Sequence, residues 1–169
     1  MTPNNATRVP VPTVLVTGAA KRLGRDIALA LAAVGWQVAV HYRGSEEDAL
    51  KTVADCSALT GGATAFRADL SDEAAVKSLL PTVIQTLGHV DAVVNSASTF
   101  EHDTHATFSF AAMEKHLRSN AGAPILLAQA LHDHISQRKL VSPADLPFAG
   151  GAVVNLLDQK LWNQNPDFL

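Results

Sequence analysis

The stretch Thr17-Gly18-Ala19-Ala20-Lys21-Arg22-Leu23-Gly24 lies between an apolar run, Val11 to Val16, and an amphipathic run with helical spacing. A strand, a glycine turn and a helix in this order place backbone N–H groups at a helix N-terminus, where a pyrophosphate can bind. Gly18 permits the tight turn, and Gly24 lets the helix approach the strand. The Gly-x5-Gly spacing differs from the standard dinucleotide fingerprint, so an ordinary strand–helix turn is the alternative.

Strand-like and helical patterns alternate along the rest of the chain, which predicts a parallel sheet covered by helices. The expected strands are 13–17, 36–42, 63–68, 90–95 and 151–157. The expected helices are 23–34, 45–59, 71–87 and about 110–137. Ser71 is a candidate N-cap, and Pro81 is expected to bend or split the helix that follows. Right-handed crossovers then give one α/β domain over residues 1–169, a doubly wound, Rossmann-like sheet of order 3-2-1-4-5.

The composition is that of an ordinary globular chain, with 47% hydrophobic residues, 17% charged residues and a net charge of −3. A chain with this net charge has no overall excess of basic residues with which to bind nucleic acid. The longest apolar stretch, Ile27 to Val34, is too short to span a bilayer, and the N-terminus lacks the apolar region of a signal peptide. Cys56 is the only cysteine and is interpreted as a small packed or surface thiol. We expect a cytoplasmic protein that binds neither membrane nor nucleic acid.

Each predicted strand has polar or glycine residues at its carboxyl end. They are Gly18, His41-Tyr42-Arg43, Asp69, Asn95-Ser96-Ala97-Ser98 and Asp158. In an open parallel sheet the ligand binds above these ends, at the point where the strand order reverses. The sequence therefore predicts a ligand crevice above the first and fourth strands.

The loop after the second strand predicts which nucleotide binds. NAD-binding folds place an acid there for the ribose 2′-hydroxyl, but this loop has no acid before Glu46. Arg43 and Ser45 instead suit a 2′-phosphate, which favours NADP over NAD. The alternative is a solvated loop whose arginine covers the sheet edge. Asp69 is expected to face the adenine amino group and Asn95 the ribose, although both are also typical strand-end caps.

Taken in order, these segments resemble the short-chain dehydrogenases/reductases, and most closely their pteridine reductase branch. The resemblance covers nearly the whole chain and is carried by the stretch 17–24, His41-Tyr42-Arg43, Ala68-Asp69-Leu70, residues 95–100, Ser119-Asn120-Ala121 and Asn155-Leu156-Leu157-Asp158. Arg22 stands where most of the superfamily has glycine, and Ser96 replaces a common asparagine. The resemblance implies an NADP(H) site formed by Gly18, Arg22, Leu23, Gly24, His41, Tyr42, Arg43, Ser45, Asp69, Leu70, Asn95, Ser96 and Ala97.

The same resemblance implies a pterin site. Phe100 would stack on the pterin ring, Ser98 would hydrogen-bond it, and Arg22 would face both cofactor phosphate and substrate. Asp158 occupies the place of the usual catalytic serine and would relay a proton to a pterin nitrogen. The alternatives are a Phe100 folded back onto the core and an ordinary strand-end aspartate.

Asn120 lies in a helical pattern four residues before Pro124. Proline has no N–H, so the Asn120 carbonyl loses its helical donor, and Gly122 weakens the same turn. A bound water is the natural partner for a freed carbonyl. In the family that the chain resembles, the matching asparagine holds such a water in a proton relay; a plain kink is the alternative.

The family's Tyr-x-x-x-Lys pair has no counterpart, because Tyr42 is the only tyrosine of the sequence. We therefore expect the sequence to be part of a longer protein, and the resemblance implies that this protein is a homotetramer. The leading function is hydride transfer from NADPH to a C=N bond of a pterin or folate. The alternatives are a carbonyl or 3-oxoacyl reductase of the same fold and a non-catalytic NADP-binding protein.

Two histidine-containing segments offer metal-ligand types. They are His102-Asp103-x-His105 in a loop and His132-x-His134 in a helical pattern. Residues at i and i+2 point to different sides of a helix, and no cysteine or third set accompanies them. We interpret both as solvated polar surface and expect no metal.

Overall fold

The computed structural model describes residues 11–59, 62–101, 104, 106–138 and 150–158. Its strands are β1 (Thr13–Val16), β2 (Gln37–Tyr42), β3 (Ala63–Arg67), β4 (Ala92–Asn95) and β5 (Ala152–Asn155). Its α-helices are α1 (Arg22–Ala33), α2 (Glu46–Leu59), α3 (Glu73–Leu87), α4 (Phe110–Leu117) and α5 (Ala123–Gln137). The alternation of strands and helices expected from the sequence is therefore confirmed.

The strands form one parallel sheet in the order β3-β2-β1-β4-β5. Val16 at the end of β1 pairs with Val40 on one side and with Val94 on the other. The chain adds strands to one side of β1, then crosses to the opposite side to form β4. This confirms the doubly wound order and places the reversal between β1 and β4, where a crevice forms in such sheets.

Side chains that alternate along the strands enter two separate cores. Leu15 and Val93 pack with helices α3 and α5, whereas Val14 and Val16 pack with α1 and α2. Leu15 is fully buried, and burial of such a side chain stabilises the fold by about 2 kcal/mol. Both faces of the central strands are covered, which explains why those strands are continuous apolar runs. Cys56 is buried in the α1–α2 core, as the packed-thiol interpretation predicts.

Helix α3 departs from the sequence prediction at its N-terminus. Asp72, not Ser71, is the N-cap, and its carboxylate accepts the Ala74 N–H at 3.0 Å. The Ser71 N–H and hydroxyl are both bound to Asp69, which leaves the cap position to the next residue. Pro81 does not split α3, because the helix continues through it and its buried face, which includes Leu80 and Val83, holds it on the sheet.

The long helical pattern at 110–137 contains a π-helical turn, Arg118–Gly122, between α4 and α5. The Ala123 N–H binds the Arg118 carbonyl, five residues earlier. Pro124 cannot donate to Asn120, so the chain inserts one residue here and resumes an α-helix afterwards. The predicted interruption at Asn120 is confirmed in this form.

The predicted fourth and fifth strands are shorter in the structure, since β4 begins at Ala92 and β5 ends at Asn155. The segment 140–149, the residues after Asp158 and the histidines of His102-Asp103-x-His105 lie outside the described residues. Within the described part of the chain, no helix is both long and apolar enough to cross a bilayer.

Candidate functional site

Two glycines shape the turn after β1, because a side chain at either position would press on main-chain atoms. Gly18 has φ +66°, and a Cβ on it would lie 2.9 Å from the Ala97 Cα. A Cβ on Gly24 would lie 2.9 Å from the Gly18 carbonyl carbon, and closer still to its oxygen. The predicted roles of both glycines, the tight turn and the close helix–strand approach, are confirmed. Gly18 also brings this turn against the loop that follows β4.

The N-terminus of α1 lies beside this turn and has no internal cap. Its N-cap, Lys21, makes no side-chain cap hydrogen bond, and the first turn of the helix contains no acid. The first amides of a helix lack intrahelical partners and carry the positive end of its dipole. Arg22 adopts φ +53° and is exposed, as is Leu23. The chemistry of this end, with open donors and two cations, suits a phosphate group.

His41 at the end of β2 has both ring nitrogens engaged inside the protein. Its Nδ1 accepts the Gly18 N–H at 3.1 Å, and its Nε2 lies 3.2 Å from the Ala68 carbonyl oxygen. The ring is 2% exposed, and this burial lowers the pKa of His41 to about 4 against the opposing effects of the Ala68 carbonyl and Asp69. The predicted cofactor residue therefore has no ring nitrogen left for a ligand. Its neighbour Tyr42 is also buried.

Thr17 is a site residue that the sequence analysis missed. Its hydroxyl accepts the N–H groups of Ser96 and Ala97, each at 3.0 Å, and donates to the Val94 carbonyl at 3.4 Å. These bonds tie the glycine turn to the segment after β4. The sequence could have indicated this role, because Thr17 is a polar residue between an apolar strand and a glycine.

The loop after β2 presents Arg43 to solvent, where the sequence predicts a 2′-phosphate contact. Arg67 at the end of β3 donates from Nε to the Arg43 carbonyl at 3.2 Å and so fixes the backbone of this loop. The positive charge of Arg43 helps to lower the pKa of Asp69 and of Glu101. Arg43 therefore lies within electrostatic reach of both the β3 end and the segment after β4. Arg67 is a second residue that the sequence analysis missed.

A polar cavity of about 390 Å³ lies beside the Arg43 loop. Ser45 lines it, together with Lys21 from the glycine turn and three acidic residues of the first turn of α2. The Lys21 ammonium pairs with Asp48 at 2.8 Å, which neutralises one of these acids. The cavity connects the glycine turn to the loop predicted to bind the 2′-phosphate.

Asp69 follows β3 at the same edge of the sheet and is exposed. Its Oδ1 accepts the Ser71 N–H at 2.9 Å and the Ser71 hydroxyl at 2.7 Å. These hydrogen bonds lower the pKa of Asp69, so its carboxylate is ionised at neutral pH and can accept from an amino group. The structure thus gives Asp69 the turn-capping role that the sequence left open. Leu70 beside it is buried.

Asn95 at the end of β4 is 5% exposed and donates from Nδ2 to Asn155 Oδ1 at 2.8 Å. These two residues are paired in the β4–β5 register. Among the described residues, its buried Oδ1 has no hydrogen-bond partner. An unsatisfied buried oxygen costs about 1–3 kcal/mol. The hydrogen bond from Nδ2 shows that the side chain faces the neighbouring strand β5. The predicted contact of Asn95 with the ribose stays a prediction.

The segment after Asn95 carries the predicted substrate residues. Ser98 is exposed, and Phe100 is 63% exposed, so the alternative that Phe100 folds back onto the core is wrong. Between them, Thr99 is held on both main-chain groups by Asn120, whose Oδ1 accepts its N–H at 2.7 Å and whose Nδ2 donates to its carbonyl at 2.8 Å. The Ser119 hydroxyl donates to the Thr99 hydroxyl at 2.8 Å.

Further contacts attach this segment to α4, since Glu101 pairs with Lys115. Asp158 is exposed and follows β5 by three residues, at the carboxyl edge where Asn155 pairs with Asn95. The edge of the sheet thus brings together the glycine turn, the Arg43 loop, Asp69 and the segment 95–100. An aromatic face, a hydroxyl, cations and open amides lie along one side of the molecule.

The histidines of the helical pair have separate surroundings. His132 is exposed and lies 3.4 Å from the Asp133 carboxylate, whereas the Nε2 of His134 accepts the Val90 N–H at 3.3 Å. Within the described ranges, no group of three or more His, Cys, Asp or Glu side chains is placed to hold a metal ion.

Comparison with known proteins agrees with this geometry. The chain is 41% identical over 83 residues to the 3-oxoacyl-[acyl-carrier-protein] reductase FabG of Staphylococcus aureus, a match over 49% of this chain and 34% of that protein. The crystal structure of FolM alternative dihydrofolate reductase 1 from Brucella suis in complex with NADP superimposes with a TM-score of 0.80 at 28% identity, over 94% of this chain and 61% of that one.

A short chain dehydrogenase from Burkholderia cenocepacia in complex with NADP gives a TM-score of 0.71 at 34% identity, over 75% of this chain and 52% of that chain. The chain thus spans less than two thirds of the length of each of these three relatives. The model of the short chain dehydrogenase family matches residues 12–140. This match covers most of the sequence and all strands from β1 to β4, and the chain therefore belongs to the short-chain dehydrogenase family.

Proposed function

We propose that this protein binds NADP(H) above the carboxyl ends of its strands and transfers hydride as an oxidoreductase. The observation that carries the proposal is the uncapped N-terminus of α1, which lies against a turn where a side chain at 18 or 24 would press on the main chain. Such a turn lets a pyrophosphate approach backbone amides. Two of the structural relatives, from Brucella suis and Burkholderia cenocepacia, were crystallised with NADP.

The residues of the edge fit the parts of this cofactor. The amides of the first turn of α1 would hold the pyrophosphate, Arg43 and Ser45 the 2′-phosphate, and Asp69 the adenine amino group. Arg43 is well suited because its guanidinium is a permanent cation with a planar set of donors. Bound NADPH supplies the hydride, and the protein orients it.

Titration of the protein with NADPH and NADH, followed by nucleotide fluorescence, tests this proposal. We expect tighter binding of NADPH, and a tenfold to hundredfold loss of its affinity in Arg43→Ala, in line with about 1.5–3 kcal/mol for a charge-assisted hydrogen bond. NADH affinity should be unchanged in that variant. Lys51→Ala removes another exposed cation from α2 and is the matched control. Equal binding of the two nucleotides by the wild type would contradict the assignment.

We further propose that the substrate is a pterin or folate, reduced at a C=N bond. The exposed Phe100 offers a face to a flat heterocycle, and Ser98 on the same segment offers a hydroxyl. Arg22 on the glycine turn is exposed and would face both the cofactor phosphate and the substrate. The Brucella suis relative is an alternative dihydrofolate reductase, which supports this substrate class. Asp158 would relay a proton to the pterin nitrogen, and the main-chain carbonyl of Asn120 would hold a water in that relay.

Reduction of a 3-oxoacyl thioester is the second candidate, because the Staphylococcus aureus relative with 41% identity over 83 residues is a 3-oxoacyl-[acyl-carrier-protein] reductase. A substrate panel of dihydropterins, dihydrofolate, quinones and 3-oxoacyl thioesters with the whole protein separates the two. We expect turnover of pterins or folates, and loss of this turnover in Asp158→Ala. NADPH binding without turnover of any of these would favour a non-catalytic NADP-binding protein.

We also propose a homotetramer in the cytoplasm. Helix α4 supports the assembly, because Phe110, Met113 and Leu117 lie on one face at helical spacing and are 79%, 51% and 61% exposed. An exposed apolar stripe of this kind marks an interaction surface. Sedimentation of the whole protein tests it, with Met113→Glu expected to shift the mass towards that of smaller species.

A further inference from the structure

The imidazole of His41 lies directly beneath the glycine turn, with one ring nitrogen on each of two neighbouring segments. The Gly18 N–H approaches Nδ1 at 3.1 Å, and the Ala68 carbonyl oxygen lies 3.2 Å from Nε2. The ring is 2% exposed and is part of neither hydrophobic cluster. A buried histidine whose contacts are both main-chain groups is a structural link between them.

These partners select one form of the ring. A backbone amide can only donate, so Nδ1 must carry a lone pair, and a carbonyl can only accept, so Nε2 must carry the proton. Protonation of Nδ1 would place its N–H against the Gly18 N–H, and two donors cannot form a hydrogen bond. Burial lowers the pKa of His41 to about 4, so the neutral ring is the form present at neutral pH.

His41 also holds the turn through its main chain, because its carbonyl accepts the Ala19 N–H at 2.9 Å. Two successive amides of the turn are therefore bound by one residue, and Gly18 is fixed at φ +66°. The amides that remain for a phosphate are the later ones, at the start of α1. Through Ala68, the same ring sets the position of Asp69 relative to the turn.

We propose that His41 is a positioning residue for the bound dinucleotide, acting through its hydrogen bond to Gly18 and not through contact with the cofactor. The proposal rests on the NADP(H) binding proposed above. The bond to Gly18 sets where the α1 amides point, and the bond to Ala68 adds stability to the β2–β3 edge. The two nitrogens thus have separable effects, one on binding and one on folding.

Amide side chains separate the two bonds, since asparagine offers an acceptor near the place of Nδ1 and glutamine offers a donor near that of Nε2. His41→Asn should keep NADPH affinity within about threefold of the wild type, and His41→Gln should lose at least about tenfold. His41→Leu removes both bonds and should bind no better than His41→Gln. Val83→Ala, a truncation in the α3 core, is the control for general destabilisation and should bind normally.

Affinity should be measured by NADPH titration at a temperature where thermal melts show each variant folded. Nitrogen NMR of the wild type should show an unprotonated Nδ1, in both the presence and the absence of NADPH. Equal affinities in His41→Asn and His41→Gln, or a protonated Nδ1, would overturn the positioning role while leaving NADP(H) binding intact. Wild-type protein that binds neither NADPH nor NADH would instead overturn the proposed function and this role together.

Discussion

The two ends of the parallel sheet differ in how far the protein itself satisfies their polar groups. At the amino end, Asp91 is 5% exposed. Its carboxylate accepts the Thr13 N–H at 2.8 Å and pairs with Arg138 at 2.5 Å and His89 at 3.3 Å. At the carboxyl end, the first amides of α1 have no side-chain cap, and Arg43 makes no ion pair within the described part of the chain.

From this difference we expect the amino end to serve folding and the carboxyl end to serve the binding proposed above. A polar group satisfied inside the protein contributes to stability, whereas one left open contributes free energy only when a ligand arrives. Substitutions at the amino end should therefore change the free energy of unfolding without changing nucleotide affinity. Substitutions at the carboxyl end should change affinity, sometimes in the direction opposite to stability.

Asp91→Asn tests the amino end and should have the largest effect on stability. The variant keeps the shape of the side chain but leaves Arg138 and His89 without their counter-ion. Breaking a buried pair in this way should lower the free energy of unfolding by about 3 kcal/mol at pH 7. Urea unfolding measures it, and NADPH affinity at low denaturant should be unchanged. Asp133→Asn, an exposed acid on α5, is the control and should unfold like the wild type.

The effect of Asp91→Asn should depend on pH. Burial alone would raise the pKa of Asp91, but hydrogen bonds from His89, Arg138 and the Thr13 N–H outweigh it and lower the pKa to about 2. The stability from the ionised carboxylate is therefore present above its unfolded pKa and is lost as pH falls through about 2. The Asp91 hydrogen bond raises the pKa of His89. The stability that protonated His89 contributes is therefore present at pH 6 and declines as pH rises. A difference from the wild type that stayed constant from pH 2 to pH 8 would contradict this assignment.

Gly24→Ala tests the carboxyl end. The added Cβ would lie 2.9 Å from the Gly18 carbonyl carbon, so the backbone of the turn must move. We expect a loss of about 2 kcal/mol in the free energy of unfolding, together with a loss of NADPH affinity beyond that of equally destabilised variants. Gly44→Ala, where a Cβ meets nothing within 4 Å, is the control for stability. Unchanged NADPH affinity in Gly24→Ala would show that the turn does not hold the phosphate.

The sheet order was predictable because buried parallel strands are apolar runs separated by glycine turns and helical patterns. Local competition was harder to predict, since Ser71 and Asp72 both favour an N-cap and only the contact of Ser71 with Asp69 decides between them. Pro81 was judged from the helix alone, whereas packing of α3 on the sheet keeps the helix continuous.

The sheet edge that carries the candidate site was predictable, but the contacts within it were not. Alternation from Ala39 puts His41 on the α3–α5 face of the sheet, but its partners, Gly18 and Ala68, are 23 and 27 residues away in the sequence. A single sequence does not show which distant main-chain groups meet a ring. The contacts of Thr17 and Arg67 with other strand ends were missed for the same reason.

Asn120→Ala should have a smaller effect, confined to the segment that carries Ser98 and Phe100. It removes both hydrogen bonds to the Thr99 main chain, which at this exposed position should cost about 1 kcal/mol of unfolding free energy. Faster amide exchange at Thr99, with NADPH affinity unchanged, is the expected result. Gln129→Ala on α5 is the control. Because the proposed water is held by the main-chain carbonyl of residue 120, a complete loss of turnover would assign the role to the side chain instead.

Arg22→Gly should have the smallest effect on stability, with the opposite sign. Arg22 has φ +53°, a left-handed conformation that costs a non-glycine residue about 1–2 kcal/mol, and glycine adopts it without that strain. The greater freedom of glycine in the unfolded chain offsets part of this gain, so the free energy of unfolding should rise by about 0.5 kcal/mol.

The same substitution should weaken NADPH binding, because it removes a cation from the open end of α1. Lys21→Ala, which removes the adjacent cation without relieving any strained φ, is the comparison variant. We expect opposite signs because relief of the strained φ raises stability, whereas loss of a ligand-facing cation lowers NADPH affinity. If Arg22→Gly lowered stability and left NADPH affinity unchanged, Arg22 would have no role in ligand binding. Its contribution would then be to folding, as at the amino end of the sheet.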